Sequence, residues 1–470
     1  MKLNILLAIT IATGLLASCQ LAGSIDDIKP HYKLESETVI RDAESAENAL
    51  RGIYEGWRLR GVSTPRMHIS LLAGGLIRTG NISGEQGFVN NDLLPTNITL
   101  NEVYQEYYRI INTANNFISL MEQGRAVKMP EKRVMEVIAE AKIQRALAHF
   151  HLLRYFGYFF DNNSALGIVL RDKAFEGLAV SKRSSVADSY SFILADLDFG
   201  IQHAPSSNEL HYYMSQVTAK ALKAKVLLHL GDYPKAEQLA QEVLTTAGAA
   251  GYRLSDNYAD IFLNGFNASE VLFATYNYGT LESAQVSVER TTASAFSKNI
   301  ADLLPDNSLN GNGNTGAGYD SRYAYMYALA SRGPLLNGKY PYGANALTQR
   351  NSHILLRLGE IYLIHAEAAA RNKNFAAAKE SLQLIATRAG YAADYTSSIS
   401  NAELLISIFN HKWLELLSEN GEDWFDFIRF YKQQDIPINY IKASITREEQ
   451  LVLPIPTTAL SGNNLLIPNP

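Results

Sequence analysis

Apolar residues recur every three or four positions over most of this chain, the spacing of one face of a helix. Ala43, Ala46, Leu50, Ile53, Tyr54 and Trp57 form such a stripe and predict a helix over 39–60. Val103, Tyr107, Ile110, Ile111, Ala114, Phe117 and Ile118 predict another over 102–122. Ile138, Ala141, Ala148, Leu152 and Phe156 predict a third over 131–158, and 189–204 and 217–230 continue the pattern. Two long segments rich in Gly, Asn, Thr, Tyr and Ser interrupt it, at about 61–99 and 249–352. Connections of that length are usually functional or irregular, and the stretch from Asn307 to Tyr319 reads as loop.

The stripe over 217–230 runs into Gly231-Asp232-Tyr233-Pro234-Lys235-Ala236-Glu237, followed by Leu239, Ala240, Val243 and Leu244. A tight turn, an aromatic residue, then small residues where two helices meet is the mark of a tetratricopeptide-type helix pair. Lys373-Asn374-Phe375-Ala376-Ala377-Ala378-Lys379 repeats it within 355–389. Aligning Asp232 with Asn374 sets Tyr233 on Phe375, Ala236 on Ala378, Ala240 on Leu382 and Val243 on Ile385. The two copies are far apart in sequence, so a regular solenoid is not expected. The expectation is an all-α fold, with tetratricopeptide-like helix pairs forming a right-handed superhelical frame from which long irregular loop insertions leave.

The N-terminus has a different pattern. An uncharged apolar run from Leu3 to Leu16 follows Lys2 and ends in Leu16-Ala17-Ser18-Cys19. It is shorter than the ~20 residues a spanning helix needs and reads as an export signal. Cys19 is the only cysteine of the 470 residues. Its position after the signal core marks a lipoprotein cleavage and acylation site, with residues 1–18 removed and a lipidated tether over 19–31. An ordinary secretory signal is the lesser alternative, since no other cysteine competes. Several acyl chains on one cysteine give stable anchoring, which one chain does not. Asp26 and Asp27 follow the anchor closely. Residues 32–470 are expected to form one domain.

Composition narrows the function classes. The chain is 47% hydrophobic and 19% charged, with a net charge of −5. That excludes a disordered chain and leaves no basic footprint for nucleic acid. The 26 tyrosines stand out, because a tyrosine ring can stack on a ligand and hydrogen-bond at once.

Catalytic and metal motifs are largely missing. There is no Gly-x-Ser-x-Gly elbow and no His-Glu-x-x-His helix. Gly333 to Lys339 has phosphate-loop spacing, but Tyr340 stands where a Ser or Thr must hold Mg²⁺. Asp306, Ser308, Asn310 and Gly311 begin like a calcium loop, but Ala317 replaces the bidentate acid. A surface turn is therefore expected, with structural calcium as the minor alternative. His149 and His151 diverge on a helix, so they read as core or surface positions and no metal site is expected. Arg357, Glu360, Glu367 and Arg388 lie in apolar helices and read as buried framework ion pairs. No enzyme activity and no cofactor beyond the lipid on Cys19 are expected.

Several ordered segments together resemble the SusD/RagB family, outer-membrane lipoproteins that capture nutrients on Bacteroidetes cells. Ala139-Glu140-Ala141-Lys142 through Arg145-Ala146-Leu147 and Leu153-Arg154-Tyr155-Phe156-Gly157 resembles the family's helix ending in a Tyr-Gly turn. Asp320-Ser321-Arg322 followed by Lys339-Tyr340 resembles its Asp-x-Arg … Lys-Tyr stretch. Arg357 to Leu363, Ala366-Glu367-Ala368 and Thr387-Arg388-Ala389-Gly390 resemble its best-marked segment. Leu453-Pro454-Ile455-Pro456 and Asn469-Pro470 resemble its C-terminal signature. Asn410-His411 departs from the family's Arg-Glu pair, which bears on framework ion pairing, while Leu416 and Trp424-Phe425-Asp426 keep the pattern.

The resemblance implies an outward-facing lipid-anchored protein of the outer membrane that caps a SusC-like TonB-dependent transporter and hands it a glycan or oligosaccharide. It implies ligand contacts from 66–97 and 276–342. In the first of these lie Phe88, Asn90, Asn91 and Asp92, and in the second Tyr276, Tyr278, Tyr319 and Tyr323, with Phe296 and Tyr325. Neither segment has a Trp; Trp57, Trp413 and Trp424 fall in helical stretches or a helix turn. Thr64-Pro65-Arg66-Met67-His68 resembles the family's RagB branch, which looks like a peptide binder, so peptide capture is the first alternative. A cell-surface hydrolase, which would need two carboxylates facing one cleft, and a scaffold without a ligand site are the others.

Overall fold

The computed structural model describes residues 39–74, 86–175, 180–208, 210–276, 320–322, 325, 338–342 and 351–470. The expected signal, tether and Cys19 lie outside them, as do Tyr278, Phe296, Tyr319, Tyr323 and the calcium-like loop. No helix among the described residues is long and apolar enough to cross a membrane.

Helices dominate: α1 Ala43–Gly56, α2 Arg60–Leu72, α3 Gln86–Asn90, α4 Ile98–Glu122, α5 Glu131–Phe156, α6 Val186–His203, α7 Gln216–Leu230, α8 Tyr233–Ala247 and α9 Tyr258–Asn264. Two short antiparallel strands follow, β1 Val271–Ala274 and β2 Ile354–Arg357. Then come α10 Leu358–Arg371, α11 Phe375–Arg388, α12 Leu404–Leu416, α13 Glu422–Lys432 and α14 Thr457–Ser461. The sequence stripes become buried faces. In α1, Ala46, Leu50 and Ile53 are buried, and Asp42 caps the first turn by accepting the Ser45 N–H at 2.8 Å. Helix α2 was not expected inside the 61–99 segment; its inward face carries Ser63, Arg66, His68 and Ser70, which hide the apolar period.

The two helix pairs share their turn geometry. Gly231 and Lys373 both take left-handed backbone, at φ +85° and +64°. The next residues match closely, Asp232 at φ −82°, ψ 68° and Asn374 at φ −84°, ψ 66°. The aligned positions Ala236 and Ala378, Ala240 and Leu382, and Val243 and Ile385 are all fully buried. The pairs are distant in sequence but stack directly, α8 against α10, within a continuous array running from α4 through α5, α6, α7 and α8 to α10, α11 and α12. The 249–352 segment is thus an excursion from between neighbouring layers of the frame.

Buried charges lock these layers. Arg357 reaches Glu270 at 2.8 Å, Glu419 at 2.8 Å and Glu415. Arg388 pairs with Glu270 at 2.6 Å and with Glu415. Gly359 lies against this junction, where an added Cβ would come within 2.6 Å of both Arg357 Nη1 and Glu270 Oε1. Asp320 and Arg322 pair with each other at 2.6 Å, Arg322 reaches Glu415 at 3.2 Å, and Lys339 pairs with Glu419. Glu360 pairs with Lys225, and Glu367 with Arg371, Lys412 and Arg429. The framework reading of Arg357, Glu360, Glu367 and Arg388 holds. At the divergent Asn410-His411, burial and Arg322 depress the imidazole to about 3, so neutral His411 Nδ1 accepts from Arg322 at 3.0 Å.

Candidate functional site

Beside the end of α1, where β1 runs out toward the second expected ligand-bearing segment, a recess of about 260 Å³ opens. The last turns of α1 supply Arg51, Tyr54, Glu55, Trp57 and, just beyond, Arg58. The turn before α7 supplies Tyr212 and Tyr213, and β1 with its exit supplies Phe273 through Tyr276. Tyr212 is the hub of the rings, with centroids 4.8 Å from Tyr213, 4.8 Å from Tyr276 and 5.3 Å from Phe266. Tyr54 meets Tyr213 edge-on at 5.1 Å. The Arg58 guanidinium lies 5.9 Å from the Tyr276 ring and pairs with Glu55 at 2.6 Å. Such a surface offers ring faces to apolar C–H groups and a charged rim to hydroxyls.

Tyr54 is fixed from behind. Its hydroxyl donates to Glu140 Oε2 at 2.6 Å and accepts the Met214 N–H at 2.9 Å. Burial and the Glu140 carboxylate raise its pKa well above the usual tyrosine range, so it remains a donor. Behind it, a larger recess of about 530 Å³ shares Arg51 and Tyr213 with the first. Its carboxylates are already engaged: Arg133 holds Glu47 at 2.7 Å, Glu136 at 3.2 Å and Glu140 at 3.0 Å. The aromatic recess therefore offers the better recognition surface although it is smaller.

Of the residues singled out in the sequence, Tyr276 lies in the recess. Phe88 does not present a stacking face. It is 0% exposed and packs against His68 at 5.7 Å. Asn91 is also turned inward, donating to Leu72 O at 2.9 Å and accepting from the Ser444 hydroxyl at 2.8 Å. Asn90 and Asp92 are exposed but do not line the recess. Tyr325 stacks on Phe262 at 6.3 Å in a separate cluster. His149 and His151 are both buried, the first donating from Nδ1 to Arg145 O and the second stacked on Tyr107 at 5.2 Å. Among the described residues no group of three or more His, Cys, Asp or Glu could hold a metal.

Sequence reasoning missed Arg51, Tyr54, Tyr212 and Tyr213. The Tyr212-Tyr213 doublet in a turn between two helices was the available signal.

Comparison with known proteins gives two successive family matches. The family described as "Starch-binding associating with outer membrane" matches residues 77–228, and the SusD family matches 266–470. The chain belongs to the SusD/RagB family. A SusD-like protein of Formosa agariphila is 28% identical over 233 residues, 49% of this chain and 44% of that protein. The chain spans about half the length of the curated relatives it matches. The solved structure of a SusD superfamily protein from Bacteroides thetaiotaomicron superposes with a TM-score of 0.75 at 22% identity, covering 91% of this chain and all of the other. A solved structure named "Laminarin binding SusD-like protein" gives 0.71 at 22% identity, covering 92% and 99%. At these identities the structural likeness establishes the SusD-like fold, an all-α frame of tetratricopeptide-like pairs.

Proposed function

We propose that this SusD/RagB protein captures a glycan in the recess formed by Tyr54, Tyr212, Tyr213 and Tyr276 and passes it to a TonB-dependent transporter partner without chemical change. The observation that carries the reading is the convergence of these rings beside the exit of β1 into the second insertion. Sugar rings present C–H faces to such tyrosines, and Arg51, Glu55 and Arg58, which line the same recess, can bond hydroxyls. The family description and the laminarin-binding neighbour support a glycan over other ligands.

In this proposal residues 1–18 direct export and the lipid on Cys19 holds the chain to the outer membrane, facing outward. Residues 32–470 form the capturing domain. Tethering keeps the domain near its transporter and raises its effective concentration there. Isothermal titration of residues 32–470 against laminarin, other neutral glycans and mixed peptides tests the ligand class. Glycan binding lost on substituting Tyr276 supports the proposal. Peptide binding without glycan binding would replace it with the RagB-like reading, and turnover of a bound glycan would replace it with a hydrolase.

A further inference from the structure

Among the described residues the buried lysines and arginines follow one rule with one exception. Arg145, Arg154, Lys225, Arg322, Lys339, Arg357, Lys412 and Arg429 are all buried, and each ends on a carboxylate. Arg66 is 2% exposed and makes no ion pair among the described residues. Its one hydrogen bond runs from Nη2 to Trp57 O at 3.1 Å, and no protein atom accepts from Nε or Nη1. A guanidinium cannot shed its proton to escape burial. An unpaired charge in that setting costs several kcal/mol.

Arg66 lines a small cavity with Lys339, Tyr340, His353, Glu419 and Asn420. The acids of the neighbouring network are engaged by other cations. Its four cations, Arg322, Lys339, Arg357 and Arg388, meet four acids, Glu270, Asp320, Glu415 and Glu419. Glu419 spends one oxygen on Lys339 and Arg357 and the other on Arg357. Asp423, which lines α2 one turn along, receives the Ser70 hydroxyl on Oδ1 at 2.8 Å, has no partner on Oδ2 among the described residues and makes no ion pair with Arg66. Arg66 is thus left with no carboxylate at ion-pair distance among the described residues, and its charge is unneutralised where it lies.

We propose that the cavity beside Arg66 is a binding site for a single monatomic anion, chloride or another halide. Its volume of about 10 Å³ favours a single small species over sulfate or phosphate. A water would fill the space but leave the charge unneutralised; a halide does both. The site joins α2 to Lys339-Tyr340 and to the segment entering β2, so the bound anion ties the first insertion to the second.

Two measurements on residues 32–470 test this. In crystals soaked in sodium bromide, anomalous diffraction should show one ordered bromide within hydrogen-bond reach of Arg66 Nε or Nη1. In solution, Tm should rise by about 1–3 °C for each tenfold rise in chloride at constant ionic strength, with gluconate as the balancing anion. Arg66→Met should abolish that chloride dependence. If the variant does not fold, the bromide map of the unaltered protein still decides. An ordered water there with no anomalous signal, or a Tm independent of halide, overturns the proposal.

Discussion

Replacing Glu415 with Gln removes one charge from the centre of the largest buried network while preserving side-chain volume. Arg322, Arg357 and Arg388 all end on this fully buried carboxylate. The substitution leaves four cations against three acids and turns an amide N–H₂ toward guanidinium donors. Breaking one side of a buried ion pair costs about 3–5 kcal/mol, and convergence of three partners sets the expectation at the upper end. At roughly 2 °C or less per kcal/mol for a chain of this length, Tm should fall by about 5–10 °C. The backbone carbonyl of Glu415 still receives Lys339 at 2.9 Å and Tyr258 at 3.0 Å, so local anchoring survives. Burial alone would raise the Glu415 carboxyl, but Arg388, Arg357 and Arg322 outweigh it and hold the pKa well below the usual range. A depressed folded value gives stability that is full above the unfolded value of about 4.5 and lost as pH falls below it. The gap between wild type and Glu415→Gln should therefore be widest near pH 7 and close in acid. Urea denaturation across pH 3–7 measures it. A difference under about 1 kcal/mol at pH 7, or one that persists unchanged at pH 3, would refute the network argument.

Removing the hub ring by Tyr212→Ala should weaken binding of a neutral glycan about 2- to 10-fold while leaving Tm nearly unchanged, as read by calorimetry and thermal melts. Glu140 is the opposite titration case: burial lifts its carboxyl to about 7 against Tyr54 and Arg133. Its stabilising contribution is full below about pH 4.5 and lost as pH rises through 7, so wild type should lose up to ~3 kcal/mol relative to Glu140→Gln over that window in pH-dependent denaturation. The paired helix turns predict opposite signs. Gly231→Ala should cost about 1 kcal/mol from its φ of +85° alone, since nothing lies within 4 Å of the added Cβ. Lys373→Gly should gain about 0.5–1 kcal/mol at φ +64°, and equal signs for the two in denaturant melts would contradict the shared geometry.

The long helices were legible because their stripes are local. The turn at Gly231-Asp232 and its copy at Lys373-Asn374 were legible because the same backbone solution demands similar residues. Helix α2 was hidden because Ser63, Arg66, His68 and Ser70 occupy its inward face, and a polar core face has no hydrophobic period. The strands β1 and β2 are buried at all four positions, so they show no alternation. Phe88 misled for a related reason: an aromatic in a Gly/Asn-rich stretch reads as a ligand face, but the unseen helix α2 gives it His68 to pack on.

The recess was the least legible part because it is wholly tertiary. Tyr54 belongs to the buried stripe of α1, Tyr212 to a short turn, and Tyr276 to the end of a strand; only packing brings their rings together. The charges tell the complementary story. The framework role of Arg357, Glu360, Glu367 and Arg388 could be read from their apolar surroundings, but their partners Glu270, Glu415 and Glu419 come from remote segments. Among the described residues the frame pairs most of its buried charge internally. The proposed recess draws on the tyrosines that stand out in the composition, not on the net charge of −5. If the recess captures and releases a glycan as proposed, it is better made from rings and half-exposed hydroxyls, whose individual contributions are near 1 kcal/mol, than from desolvated ion pairs.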